Sequence, residues 1–283
     1  MEIFEYAFFR NALAGLVLVG IASAIVGTYV VTRRLMFVTG GITHACFGGL
    51  GFGYYIGINP IIAAGVFAVA SALGVEWMSG RQRVREDSAI SVIWSLGMAV
   101  GVVFIFLTSG YVPELNSFLF GNLLTISSVD LWVFGGFLVL LLGVMSLFYR
   151  PIVACAFDAD YARTINLPVR LVNGMMIVLV SICVVLTLKL IGIMLLMSLF
   201  AIPQMIAEVF TSRFKPMLVL ASAASLVCSV SGLFISYWSN VPASATIVVT
   251  LIAVYAAARL LSSSLKRKSH RNKRQADTLL SNK

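Results

Sequence analysis

The chain has 283 residues, of which 60% are hydrophobic and only 11% are charged, and its formal net charge is +9. A mean hydropathy of +1.01 excludes an ordinary soluble domain and predicts an all-α polytopic membrane protein, because hydrated loops and open sheet edges cannot cross lipid. The positive charge does not indicate nucleic-acid binding, since the lysines and arginines cluster between apolar segments, as cytoplasmic loops do.

With the arginine clusters as cytoplasmic markers, we expect about nine membrane spans (eight to ten), with the N-terminus outside and the C-terminus inside. The spans are 11–31, 35–56, 60–79, 88–107, 131–149, 169–188, 190–210, 216–238 and 243–261. Residues 1–261 are thus one transmembrane domain. The basic tail, residues 262–283, is predicted to be disordered and to lie near anionic lipid.

Two connections interrupt this pattern. Residues 109–128 are too polar to span, and we expect an external segment with a short amphipathic or re-entrant piece around 118–124. The longest cytoplasmic connection lies between Arg150 and Arg170, and its apolar residues recur at helical spacing from about 154 to 168. We therefore predict a short amphipathic helix there.

The second span carries His44, the only histidine outside the basic tail. On a helix that begins near residue 35, His44 lies about 14 Å in, close to the middle of a hydrocarbon core about 30 Å thick. An ionisable side chain at that depth typically marks a substrate or proton path. Gly40, Gly48 and Gly51 share its face and leave it without side-chain bulk. The alternative is a histidine that only packs against a neighbouring helix.

An adjacent stripe of small residues would let another backbone approach the same helix closely. Its members are Gly41, Ala45, Gly49 and Gly53.

Other candidate residues are few. The sequence has no Walker A motif, G-x-S-x-G elbow or HExxH helix, so neither ATP hydrolysis nor another enzymatic activity is expected of this chain. Glu86 and Asp87 open the fourth span, where they either complement the helix dipole or take part in gating. Pro203 interrupts a later span, as in transporters whose broken backbone lines a cavity, although a packing kink is equally consistent.

Several stretches carry a resemblance when they are taken together in this order and spacing. They are Gly40–Ala45, Arg85–Ile90, Leu119–Ser127, Phe148–Pro151, Ala156–Arg163, Asn166–Pro168 and Val241–Thr246. In these stretches the chain resembles the membrane permeases of bacterial ABC importers for zinc, manganese and iron(II), the ABC-3 type. The likeness covers almost the whole chain except the tail.

This resemblance implies a homodimeric permease of the bacterial cytoplasmic (inner) membrane, with the fold of type II ABC importers. It implies a separate ATPase subunit below and a metal-binding periplasmic protein or lipoprotein that delivers the ion. The predicted helix at 154–168 then corresponds to the coupling helix, with Asp158, Asp160, Tyr161 and Arg163 as residues that dock the ATPase. His44 corresponds to the histidine of the metal path. The metal ion is cargo, and no permanently bound cofactor is expected.

One position departs from the family pattern. Many members carry an aspartate one turn before the histidine, where this chain has Gly40. Three alternatives follow. Thr43 or a group of the partner protomer supplies the oxygen ligand, the metal ion passes a looser site, or the substrate differs. Imidazole without a carboxylate slightly favours zinc over manganese. The alternatives to a metal permease are an ABC permease for a metal chelate of the siderophore or cobalamin type, and a channel or secondary transporter that works alone.

Overall fold

A computed structural model describes residues 5–81, 84–109, 121 and 123–281 of the chain. Within these ranges the secondary structure consists of helices, and a 3-10 turn lies at Leu123–Thr125. The α-helices are α1 (Ala7–Thr32), α2 (Met36–Ile56), α3 (Pro60–Arg81), α4 (Glu86–Leu107), α5 (Ser128–Leu147), α6 (Tyr149–Phe157), α7 (Ala159–Thr164), α8 (Val169–Glu208), α9 (Phe214–Ser239) and α10 (Ala243–Ser281).

Seven helical segments in the described part of the chain are long and apolar enough to cross a membrane. They lie in α1, α3, α4, α5, α8, α9 and the first half of α10. The 21-residue helix α2 is not among them, because its glycines, threonines and His44 lower its hydropathy. The protein is therefore an all-helical, multi-pass membrane bundle.

Helix α1 lies at the centre of the bundle. Every residue from 22 to 30 is buried, so this stretch is enclosed on all sides. A helix that is apolar around its whole circumference is typical of such a position. Near its end, Arg33 Nη1 donates a hydrogen bond of 3.1 Å to the backbone oxygen of Cys155 in α6. We call this end of the bundle, which holds Arg33, α6 and α7, the arginine end.

Helix α8 folds back on itself at Gly192. The φ and ψ angles of Gly192 are 77° and 172°, a conformation open essentially only to glycine. Tyr29 Oη lies 3.5 Å from Oδ1 of Asn173, and Gln204 Nε2 donates a 3.0 Å bond to the oxygen of Ser23. A straight helix would separate residues 173 and 204 by roughly 46 Å, yet both contact the same two turns of α1. Residues 169–191 and 193–208 therefore run in opposite directions.

The prediction of one continuous helix at 154–168 is wrong. The structure has two short helices, α6 and α7, that meet at Asp158. The Asp158 carboxylate accepts the backbone N–H groups of Asp160 and Tyr161 at 3.0 and 2.9 Å. A side chain that caps the next helix in this way competes with continuation of the previous one.

The remaining connections are described only in part. Residues 110–120 and 122 lie outside the described residues, and most of the predicted re-entrant piece falls there. Gly121 packs directly on the reversal of α8, since a Cβ atom at Gly121 would lie 2.3 Å from the carbonyl carbon of Ile191. Helix α10 extends to Ser281, into the tail for which the sequence predicts disorder; that disorder stays a prediction.

Candidate functional site

The helix that carries His44 is held between two neighbours by backbone contacts. A Cβ atom on Gly51 would lie 2.4 Å from the oxygen of Gly101 in α4, and one on Gly49 would lie 2.5 Å from the oxygen of Ala63 in α3. These distances leave no room for a side chain, so α2 touches α3 and α4 backbone to backbone. The close approach predicted for the small-residue stripe is confirmed.

Gly48 belongs to the same contact, because its Cβ would lie 3.0 Å from the oxygen of Gly97 in α4. Gly48 and Gly51, which the sequence places on the His44 face, therefore pack against α4 in this structure. Their place on a transport path stays a prediction. The matched positions also show that α2 and α4 run parallel, since both helices begin at the arginine end.

His44 lies at the edge of this contact, half-buried, two turns into α2. Its imidazole stacks on the indole of Trp94, with ring centroids 4.2 Å apart and an interplanar angle of 5°. Nδ1 of His44 is buried and has no hydrogen-bond partner among the described residues. The Trp94 side chain is 40% exposed. The structure thus holds the ring in place by stacking and leaves a ring nitrogen free of any protein bond.

One turn before His44, the space beside Gly40 is filled by a methionine. A Cβ atom on Gly40 would lie 3.3 Å from the terminal methyl group of Met197, in the second half of α8. The Thr43 hydroxyl donates to the Thr39 oxygen at 2.7 Å and lies 3.9 Å from the Met197 sulfur. The thioether of Met197 therefore lies beside Gly40. The Thr43 oxygen keeps its lone pairs while its proton is donated, so a role of Thr43 on the path stays a prediction.

A polar stripe runs along the exposed face of α4 from its first turn toward the level of His44. Asp87, Ser91 and Ser95 follow one another at four-residue spacing, and all three are exposed. The Ser91 hydroxyl donates to the backbone oxygen of Asp87 at 2.8 Å. We call these three residues the α4 stripe. Exposed polar side chains at this spacing are unusual on a membrane helix that faces lipid.

The acidic start of α4 agrees with the dipole interpretation in one respect. Glu86 and Asp87 both lie in the first turn, where carboxylates are favourable. Arg85 occupies the N-cap position without a side-chain bond, so neither carboxylate caps the helix. A gating role of Glu86 or Asp87 stays a prediction.

Pro203 is buried in the second half of α8. The side chain of the next residue, Gln204, bonds to the backbone of α1. The contacts described for this turn are therefore those of a packed helix, and a role of Pro203 in the path stays a prediction.

At the arginine end, α7 presents four side chains that the sequence singled out. Asp158 caps the helix, Asp160 and Arg163 form an exposed ion pair of 2.6 Å, and Tyr161 is 59% exposed. Ala162 points the other way and is fully buried. We call Asp160, Tyr161 and Arg163 the α7 face. It is an exposed surface on a short capped helix whose other side is buried through Ala162.

Within the described residues, no group of three or more histidine, cysteine, aspartate or glutamate side chains could hold a metal ion. The described part of one copy thus does not place His44 in a cluster of three such ligands. Trp94, Met197 and the α4 stripe were missed by sequence reasoning. The serines at helical spacing after Asp87 were a sequence signal for the α4 stripe. Nothing in the sequence indicated that Trp94 of α4 and Met197 of α8 contact residues of α2.

Comparison with known proteins places this geometry in context. Residues 5–262 match the family model described as ABC 3 transport family. An uncharacterized membrane protein of Synechocystis is 34% identical over 255 residues, which cover 90% of this chain and 91% of the relative. The manganese transport system membrane protein MntC of Halalkalibacterium halodurans is 31% identical, over 92% of this chain and 89% of MntC.

A solved structure is also similar. PsaBC from Streptococcus pneumoniae, determined in complex with a Fab, aligns with a TM-score of 0.81 and 26% sequence identity. The alignment covers 91% of this chain and 92% of the matched chain. The similarity therefore extends over the bundle as a whole.

Proposed function

The chain belongs to the ABC 3 transport family, and we propose that it is the membrane permease of an ABC importer for a divalent transition metal ion, with manganese as the first candidate. The observation that carries the proposal is the position of His44, stacked on Trp94 in a membrane helix with its Nδ1 unbonded. Imidazole is a suitable ligand for divalent transition metals. Manganese comes from the printed function of relatives such as MntC.

The exposed surface around His44 supports a homodimer. In a single copy, half-buried His44, exposed Trp94 and the α4 stripe would all border lipid, where polar side chains are unfavourable. A second copy placed against α4 would cover them and would pair two histidines across one central path. The ion then passes between the two copies, along the α4 stripe, to the arginine end.

The topology follows from the charge distribution. The arginine end lies in the cytoplasm, because lysine and arginine accumulate in cytoplasmic loops. Nine helical segments cross the membrane if α2 is counted and α8 is counted twice, once on each side of Gly192. An odd number of crossings puts the N-terminus outside when the C-terminus is inside.

Two partners complete the importer. A separate ATPase docks on the α7 face, which lies at the cytoplasmic end and is exposed. A metal-binding protein of the periplasm or a lipoprotein delivers the ion to the opposite end. Nucleotide binding by the ATPase moves α6 and α7. The hydrogen bond between Arg33 and α6 transmits this movement to the central helix α1.

Whole-cell metal content tests this function. Metal-starved cells that lack the chain should accumulate several-fold less of one divalent metal than cells that contain it, and cells that lack only the partner ATPase should show the same loss. Mass spectrometry of manganese, zinc and iron identifies the ion. Unchanged contents of all divalent metals would contradict the proposal. Loss of uptake only when the metal is supplied as a chelate would favour a chelate permease, and flux that persists without the ATPase would favour a channel.

The choice of metal is predicted to depend on position 40. Introducing Gly40→Asp places a carboxylate one turn from His44, and carboxylate oxygen suits Mn²⁺ better than a thioether does. Uptake of manganese relative to zinc should increase, measured as the ratio of the two metals in competition. Met197→Ala combined with Gly40→Asp provides room for the new side chain, whose Cβ would meet Met197 at 3.3 Å. An unchanged ratio in the double variant would show that position 40 does not contact the ion.

A further inference from the structure

A groove lies between α3, α5 and the first half of α8, at the end of the bundle opposite the arginine end. It encloses about 400 Å³. Its walls are apolar, and they are formed by Ile62, Gly65, Val129, Val133, Ile182 and Leu186. None of these residues belongs to the His44 site or to the α7 face.

The groove opens to the surroundings of the bundle. Ile62 is 66% exposed, Val129 is 69% exposed and Val133 is 53% exposed. The lining of α8 extends from Ile182 to Leu190, which is about 12 Å along a helix axis. In a membrane, an apolar groove of this length on the bundle surface is in contact with lipid chains.

One end of the groove is polar. Lys189 pairs with the Asp130 carboxylate, which also accepts the backbone N–H and the hydroxyl of Ser127 at 3.2 and 2.7 Å. The carboxylate is therefore well satisfied, and its side chain is only 14% exposed, whereas that of Lys189 is 42% exposed. An ammonium has three donors, and a single bond to Asp130 leaves capacity for another acceptor.

Asn59 adds a second donor group at the same end. Its side-chain oxygen accepts the backbone N–H of Ile61 at 3.0 Å, so the amide nitrogen is not used in that bond. Both Asn59 and Lys189 line the groove. The polar end thus offers hydrogen-bond donors of Lys189 and Asn59, and Asp130, the carboxylate in the described lining of the groove, is already engaged.

We propose that this groove binds one membrane phospholipid, with an acyl chain along α8 and the phosphate at Lys189 and Asn59. The order of the apolar walls and the polar end matches the order of acyl chain and headgroup in a bilayer lipid. The apolar walls lie within the membrane-spanning helices, and the donors lie at their ends, where lysine reaches the headgroup region. A phosphate is the acceptor that complements an ammonium and an amide at that level. The bound lipid joins α3 and α5 to the turn of α8 at Gly192.

Native mass spectrometry of the purified full-length chain with dioleoylphosphatidylglycerol tests the proposal. Gly65→Leu fills the groove, and it does so without a clash because a Cβ atom at Gly65 meets nothing within 4 Å. The wild-type chain should retain one lipid through detergent exchange, and Gly65→Leu should lose it. Gly143→Leu is the matched control: it is equally open and lies about 15 Å along α5 from Val133, so its lipid should remain.

The headgroup contact is tested separately. Lys189→Ala should bind the same lipid about tenfold more weakly, the effect of losing one charge-assisted hydrogen bond, and Lys189→Arg should restore binding. Dioleoylglycerol, which lacks the phosphate, should bind the wild-type chain as weakly as the phospholipid binds Lys189→Ala. Equal lipid retention by wild type and Gly65→Leu would overturn the proposal, as would equal loss in both leucine variants. A dimer mass that Gly65→Leu abolishes would assign the groove to a second copy instead, and would also overturn it.

Discussion

Replacement of His44 by phenylalanine is expected to reduce metal accumulation strongly while the permease stays folded in the membrane. Phenylalanine keeps the flat ring that stacks on Trp94 at 4.2 Å but removes both nitrogens. Loss of the proposed imidazole ligand from each copy should lower uptake at least about tenfold, since even the outer partners of metal ligands contribute 10- to 100-fold. The effect is measured as uptake of a radioactive isotope of the transported metal, normalised to the amount of permease in the membrane.

Two further variants make this result specific. His44→Ala removes the stacking as well as the nitrogens, so a deficit larger than that of His44→Phe measures the packing contribution. His270→Ala changes the other histidine of the chain, in the tail, and should transport normally. Normal transport by His44→Phe would make His44 a packing residue and would move the path elsewhere, even with the family assignment intact.

Replacement of the α7 face by alanine is expected to release the ATPase without affecting insertion of the permease. The three side chains of the face, Asp160, Tyr161 and Arg163, are exposed, so their removal opens no cavity in the bundle. Co-purification of the ATPase with the triple variant should fall at least about tenfold, because exposed aromatic and arginine side chains are common anchors of interfaces. Transport should be lost in parallel. Normal co-purification would show that the ATPase binds elsewhere.

Two variants of Asp158 distinguish the effect of the shape of the α7 face from the effect of the charge of Asp158. Asp158→Ala removes the two capping bonds, at a cost of about 1 kcal/mol. A helix of six residues has little else to hold its shape, so ATPase binding should weaken. Asp158→Asn should bind almost normally, since asparagine caps as well as aspartate does. If asparagine is as harmful as alanine, the negative charge itself contacts the ATPase.

The membrane helices could be predicted closely because a single local property determines them. The span expected at 35–56 is observed as α2 at Met36–Ile56, and the one expected at 60–79 as α3 at Pro60–Arg81. Apolar length is set by the thickness of the hydrocarbon core, and the loops are marked by charge. The prediction that His44 lies on a path came from the same reasoning, because an ionisable residue at that depth stands out in one segment alone, and it stays a prediction.

The points where a helix ends or breaks were harder to predict, because several local interactions compete there. The apolar spacing across 154–168 is that of one helix, yet Asp158 divides it, because its carboxylate caps α7 and competes with continuation of α6. The break in α8 was expected near Lys189, and the structure has it at Gly192. There the deciding feature is the glycine conformation, supported by the backbone of Gly121 against Ile191.

The contacts that define the candidate sites were decided only by the tertiary structure. The sequence alone determined that this is a multi-pass helical protein with a histidine in the membrane and an amphipathic connection at its charged end. It did not bring Trp94 to His44, Met197 to Gly40 or Lys189 to Asp130. Hydropathy and capping act within one segment and can be read from it. The meeting of two distant side chains depends on how whole helices pack, and glycine-lined backbone contacts such as Gly51 on Gly101 set that packing.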